Sequence, residues 1–197
     1  MSEDILVTSS RLQPIHEDHV AFWEHLEERF DDHLVICVLR DVPPEASAEV
    51  KENAETYEEY SGWTRRDKQN PLSEWERLRL AEIAVSNSNV LSNSVTVTFR
   101  ERPDISWDDS LSALPVSRRW AFNVTKSAFD STKPQHYESC GEDVVRVEFG
   151  KPSNHKGSKI REALRKGSDD LSFLPSGCHT YFRDHCLSQF RAHHHDQ

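Results

Sequence analysis

The first forty residues constrain the fold more than any other part of the chain. Ile5-Leu6-Val7-Thr8 is a short apolar run that goes directly into Ser9-Ser10-Arg11-Leu12-Gln13-Pro14, which reads as a buried strand followed by a turn broken at Pro14. From Glu17 the apolar residues Val20, Trp23, Leu26 and Phe30 recur at spacings of three and four, with acids on the other side, and this predicts an amphipathic helix. His33 to Leu39 is then a nearly continuous β-branched and aliphatic run, the pattern of a strand buried on both faces of a parallel sheet. Strand, helix and strand in about 35 residues make one βαβ unit.

The remainder extends that pattern with long polar connections. Charged residues make up 29% of the chain against 36% hydrophobic, so much of it must be solvated loop or exposed helix. The charged stretch 43–70 is expected to be a long surface loop, with at most one exposed helix near 46–60. Ser73 and Glu76 form a capping-box pair ahead of Leu80, Ile83 and Ala84, which predicts a helix start. Further strands are expected at Ser94 to Phe99, Ala121 to Val124 and Val144 to Phe149. A polar turn over 151–157 leads to a helix from Lys159 to Lys166, capped by Ser158 and ended by Gly167, and a last helix starts near Ser176. The fold class expected is α/β: a Rossmann-like parallel sheet of about five strands with helices on both faces. One domain over 1–190, followed by a His-rich tail at 191–197, suits a chain of 197 residues.

Charge narrows the partners. With 24 Lys and Arg against 34 Asp and Glu the formal net charge is −10, which repels polyanions and argues against nucleic acid or an anionic membrane as partner. Any phosphate site must be local. No run approaches the ~18 apolar residues of a membrane span, and MSEDILV lacks the features of a signal peptide, so a cytoplasmic protein is expected. Cys37, Cys140, Cys178 and Cys186 read as free thiols. Cys178-His179 and His185-Cys186 do not match a standard zinc spacing, and no metal ligands are assigned. A homo-oligomer is left open.

The chemistry-bearing residues start at the first turn. Arg11-Leu12-Gln13-Pro14-Ile15-His16-Glu17-Asp18-His19 places two histidines three residues apart at the start of a helix that follows a buried strand. The helix dipole and exposed N–H groups favour an anion there, and imidazole N–H groups can add donors aimed at a phosphoryl centre. His-x-x-His alone is equally the pattern of two surface histidines at a helix start.

In context the motif resembles a family. SSRLQPIHEDHVAFW is similar to the opening of the nucleotidylyltransferase superfamily, where a strand leads through a Gly-Arg-aromatic-x-Pro-x-His turn to His-x-Gly-His. Asn70-Pro71-Leu72-Ser73-Glu74-Trp75-Glu76-Arg77 looks like the Asn-Pro-Phe-Thr-x-x-Glu-Arg segment of nicotinamide-mononucleotide adenylyltransferases. Gly157-Ser158-Lys159-Ile160-Arg161 resembles the late Ser/Thr-x-Ile/Val-Arg signature. The resemblance implies transfer of AMP from ATP to a mononucleotide phosphate, with Mg²⁺ accompanying the ATP. It implies that His16 and His19 contact the ATP phosphates, His19 nearest the α-phosphate, with Arg161 as the third catalytic group. Ser10, Arg11, Gly157, Ser158 and Ile160 would line the ATP site, and Asn70, Arg77 and Trp120 the acceptor site. Arg65, Arg66 and Lys68 could reach phosphates from the loop. The plainer readings are a routine helix cap for Ser158, a solvated helix face for Arg161 and Arg77, and a core position for Trp120.

Two departures stand out. Asp18 and Ser10 occupy places where the family has glycine, and an aspartate adds volume and negative charge beside phosphates. They keep two alternatives in play: a related nucleotidylyltransferase with another acceptor, and a nucleotide-binding regulatory module that does not turn its ligand over.

Overall fold

The computed structural model describes residues 4–40, 71–91, 95–100, 111–112, 114–125, 128–150 and 157–192. The expected loop 43–70, with Asn70, Arg65, Arg66 and Lys68, and the histidines of the tail lie outside the described residues. In chain order the elements are β1 (Ile5–Ser10), α1 (Glu17–Arg29), β2 (His33–Leu39), α2 (Glu74–Ser86), β3 (Val95–Arg100), β4 (Arg119–Asn123), α3 (Ala128–Ser139), β5 (Asp143–Val147) and α4 (Gly157–Arg165). A short α5 (Cys178–Tyr181), a π-helical turn (Phe182–Cys186) and α6 (Leu187–Arg191) complete them. No described helix is long and apolar enough to cross a membrane.

The sheet is parallel throughout, in the order β3-β2-β1-β4-β5. The chain winds outward from β1 to β3, then returns to β4 on the other side of β1. The strand order therefore reverses between β1 and β4, and the crevice at their carboxyl ends is where α/β sheets of this kind bind ligands. Alternate residues of each central strand face opposite layers. Leu6, Leu34, Ile36 and Val38 pack with Trp23 and Leu26 of α1, Leu80 and Ala84 of α2, Ile160 and Leu164 of α4, and Phe182 and Phe190 near the C-terminal end. Val7, Val35, Cys37, Trp120 and Phe122 face Leu114 and Tyr137 of α3 instead. Burial on both faces is why β2 reads as an unbroken apolar run rather than an alternating one.

Element ends follow local chemistry. Ser73 caps α2 by accepting the Glu76 N–H at 3.3 Å while Glu76 Oε2 accepts the Ser73 N–H at 2.7 Å, the reciprocal box expected from the sequence. Gly167, at φ 86°, closes α4: its N–H donates to the Leu164 carbonyl, and that of Ser168 to Ala163, the paired bonds of a Schellman ending. The start of α4 differs from expectation. The helix begins at Gly157, so Ser158 lies in its first turn instead of capping it.

Helix α3 has no counterpart in the sequence reading, because Pro134 sits inside it. An interior proline costs a helix about 3 kcal/mol. Tyr137 supplies the offset: its buried ring meets Trp120 and Phe122 edge-on at 5.0 and 4.9 Å, and its hydroxyl accepts from Arg100 at 2.8 Å. A buried aromatic of this kind contributes about 2–3 kcal/mol before its ring contacts and hydrogen bond are added.

The carboxyl ends of β1 and β2 are tied to α2 by one side chain. Arg77 is 1% exposed. Its Nη1 donates to the carbonyls of Arg11 at 3.1 Å and Leu39 at 2.5 Å, and its Nε to Ser73 at 3.4 Å. Charge-assisted bonds to carbonyls are worth about 1.5–3 kcal/mol each, and losing the donor strands buried acceptors. Arg77→Ala should therefore lower unfolding stability by about 3 kcal/mol or more, and Arg77→Lys by less but measurably, in urea titrations followed by tryptophan fluorescence. A loss under 1 kcal/mol in the alanine variant would contradict this role. The thiols report on the same packing. Cys37, Cys178 and Cys186 are buried, and that burial pushes each up to about 12, whereas Cys140 is exposed. A thiolate-selective disulfide reagent at pH 8 should react quickly with Cys140 alone in the native protein, and with the other three only after denaturation.

Candidate functional site

The site is built around the turn between β1 and α1. Leu12 has φ 52°, a left-handed conformation that leucine adopts only when its surroundings dictate it. Three residues from two distant segments supply that constraint. Gln13 is 6% exposed, and its amide pairs with the backbone of Leu72 as a strand would, Nε2 donating to the carbonyl at 2.8 Å and Oε1 accepting the N–H at 3.2 Å. Arg77 holds the Arg11 carbonyl. From α4, Arg161 Nη1 donates to the Gln13 carbonyl at 2.7 Å. Gly157 makes room for that contact: a Cβ there would stand 3.3 Å from Arg161 Nη1 and 3.9 Å from the Gln13 carbonyl oxygen, close enough to displace the guanidinium. Arg77 of α2 and Arg161 of α4 thus both reach the turn that precedes His16, at the carboxyl edge of the sheet.

His16 is the N-cap of α1, in extended conformation and 7% exposed. The His16 N–H donates to His19 Nδ1 at 3.2 Å, and the two rings lie 4.0 Å apart at 45°. Because His19 Nδ1 accepts, the proton of its neutral ring sits on Nε2. The backbone offers less than the helix start implies, since the Glu17 N–H already donates to the Phe173 carbonyl at 3.0 Å. With the His16 N–H also engaged, imidazole and guanidinium donors carry more of any anion binding than amides do.

Opposite the turn, the ends of β4 and β5 are fixed by residues that sequence reading passed over. Asn123 Nδ2 donates to the Phe149 carbonyl at 2.9 Å, while its Oδ1 accepts from the Thr125 N–H at 3.1 Å and the Thr125 hydroxyl at 2.8 Å. The Phe149 ring packs against Phe22 and His25 of α1 at 5.7 and 5.2 Å, which brings α1 beside the β5 end. Asn-x-Thr after a short strand is a weak turn signal, and no sequence pattern announces Gln13 as a tether.

The remaining expected site residues divide. Ser10 ends β1, paired with Val38 of β2, and Arg11 opens the turn, half-buried. Ser158 is exposed on the first turn of α4. Ile160 sends its side chain into the core at 6% exposure, so only its backbone faces a ligand. Arg77 is neither an acceptor contact nor a solvated helix charge, because its N–H groups serve backbone carbonyls. Trp120 corrects the acceptor-stacking expectation. It is 0% exposed, its indole N–H donates to Glu142 at 2.6 Å, and the Arg100 guanidinium lies 4.1 Å from its ring centroid. A ring enclosed this way has no face to offer a substrate.

Comparison with known proteins bears on the fold. No family model matches the chain, and no curated protein sequence matches it. Among solved structures, a bifunctional NMN adenylyltransferase/ADP ribose pyrophosphatase from Francisella tularensis is similar with a TM-score of 0.58 at 13% identity, covering 96% of this chain and 52% of that one. The chain thus spans about half the length of that enzyme. A lipopolysaccharide core biosynthesis protein from Thermoplasma volcanium GSS1 aligns with a TM-score of 0.45 at 12% identity, over 76% of this chain and 100% of that one. Together with the strand order, the first of these shows a Rossmann-like α/β fold built on a five-stranded parallel sheet.

Proposed function

We propose that this protein is a nucleotidylyltransferase that moves AMP from ATP to the phosphate of a mononucleotide, nicotinamide mononucleotide in the first instance, and releases pyrophosphate. The observation that carries this reading is the turn after β1, which leads into His16 and His19 at the start of α1 and is bonded at its Gln13 carbonyl by Arg161 of α4. The nicotinamide acceptor rests on sequence resemblance.

In this reaction an oxygen of the acceptor phosphate forms a bond to the α-phosphorus of ATP. The bond from that phosphorus to the bridging oxygen breaks, and pyrophosphate leaves. The nucleophile is already ionised at neutral pH, so the protein needs to align and neutralise, not to remove a proton. His19 Nε2–H and His16 would donate to the α-phosphate oxygens as charge builds on them. Ser158 and the N–H groups at the start of α4 would hold the β and γ phosphates, with Arg11 adding a cation from the turn. Arg161 is already committed through Nη1 to the Gln13 carbonyl, so it would act with its remaining donors while keeping the turn in shape. Mg²⁺ would arrive bound to the triphosphate. Among the described residues no three His, Cys, Asp or Glu gather as a metal site, so no protein ligand to it is assigned.

The test is pyrophosphate release with ATP, Mg²⁺ and nicotinamide mononucleotide, beside a panel of other phosphate acceptors. Wild type should turn over, and His19→Ala should lower kcat by about a hundredfold, the usual effect of losing one transition-state donor, with a smaller change in the KM for ATP. Turnover only with a different acceptor would move the protein to another branch of the same chemistry. ATP binding with no pyrophosphate release from any acceptor would overturn the enzymatic reading in favour of a regulatory module.

A further inference from the structure

We propose that the cavity between the 169–171 segment and the helical run 183–191 is a second ligand site, which takes a small organic anion: a carboxylate or a phosphate carried on an apolar body. The inference does not rest on the nucleotide reading, because the cavity shares no residue with the turn after β1.

The cavity has a volume of about 670 Å³, in the range of small-molecule sites, which are largely apolar with a few placed polar groups. Leu171 and Leu187, both buried in the core, supply apolar wall, and Asp169, Arg183, Ser188 and Arg191 supply the polar groups. Arg191 Nη2 donates to the Asp169 carboxylate at 2.6 Å and to the Ser168 carbonyl at 3.2 Å, which offsets the one acid on the wall. Its Nε–H, out of reach of water, has no acceptor, and a buried donor left this way is costly. Arg183 is exposed and has no hydrogen-bond or ion-pair partner among the described residues. That stands out in a chain of 34 acids against 24 Lys and Arg, where Arg79, Arg118, Arg119 and Arg146 each meet a carboxylate. Two arginines against one aspartate leave the described lining one net positive charge. The planar guanidinium fork suits the paired oxygens of a carboxylate or phosphate, and the Ser188 hydroxyl can donate or accept beside it.

The backbone here is unusual as well. Arg183 lies in the π-helical turn Phe182–Cys186, and such turns inside helical runs are rare and recur at functional sites. With this turn in place Phe182, Cys186, Leu187 and Phe190 all pack into the core, while Arg183 and Ser188 stay exposed on the cavity.

The experiment titrates the full chain with benzoate, phenyl phosphate and benzyl alcohol, which share a ring and differ in charge. Affinity is read by calorimetry and location by backbone amide shifts in NMR. At least one anion should bind saturably and shift amides in 169–171 and 183–191, and the tighter of the two identifies the anionic group. Benzyl alcohol should bind at least about tenfold more weakly. Arg183→Gln, which removes no contact with a described residue, should weaken the anion by about tenfold, the scale of one charge-assisted hydrogen bond. No saturable binding of either anion, wild-type affinity in Arg183→Gln, equal binding of the alcohol, or shifts confined to the first turn of α1 would each overturn the site. A failure of ATP to bind at the histidines changes none of these outcomes, so the two readings stand or fall separately.

Discussion

The arginine at position 77 is the constraint from which the rest of the site follows. A parallel sheet leaves the carboxyl ends of its strands with carbonyls that no neighbouring strand takes up, and a buried carbonyl without a donor costs more than a typical hydrogen bond returns. Here the carbonyls of Arg11 and Leu39, at the ends of the two central strands, are served by one guanidinium from α2. The fork of Arg77 therefore sets where the β1 chain turns and where α2 begins. The Gln13 bridge to Leu72 and the Arg161 bond to the Gln13 carbonyl repeat the arrangement on either side. Between them they hold Leu12 in its left-handed conformation and place His16 at the cap of α1.

On the proposed reading, such a turn lets a strongly acidic chain carry an anion site. With a net charge of −10 the long-range field opposes a nucleotide, so the attraction must come from donors at contact distance, where geometry outweighs the distant field. The structure concentrates those donors. Arg11, Arg161, two imidazoles and the start of α4 gather on one turn, while many of the acids lie on outward faces such as Glu138 and Glu162, both exposed.

How much of this was legible in the sequence depends on the range of each interaction. The β1, α1, β2 unit could be read because its signals are local: an apolar run, a 3.6-residue period, and a second run. The Ser73 box and the Gly167 ending could be read for the same reason. Helix α3 could not, since Pro134 argues against it locally and Tyr137 is rewarded by contacts with Trp120, Phe122 and Arg100, all distant in the chain. The roles of Arg77 and Gln13 are hidden in the same way. A bond from a side chain to a backbone carbonyl 38 or 66 residues away leaves no periodicity or spacing. The Arg77 motif was recognisable by resemblance, but its task lies in shaping the turn, not in touching an acceptor.

That difference bears on which end of a substrate the fold is organised around. The residues proposed for the phosphate end lie around one turn, whereas two of the three residues expected for the acceptor are occupied inside the protein. Trp120 is sealed beneath Arg100 and Tyr137, and Arg77 is spent on carbonyls. Across the crevice, Asn123 is equally committed, its amide oxygen accepting from Thr125 and its nitrogen donating to Phe149. The β4 and β5 ends therefore offer a ligand a fixed shape more than free donors. On the proposed reading, a fold that invests its hydrogen bonds in holding one wall and one turn would discriminate first by whether a polyphosphate fits between them, with selectivity for the second substrate added by side chains outside this framework.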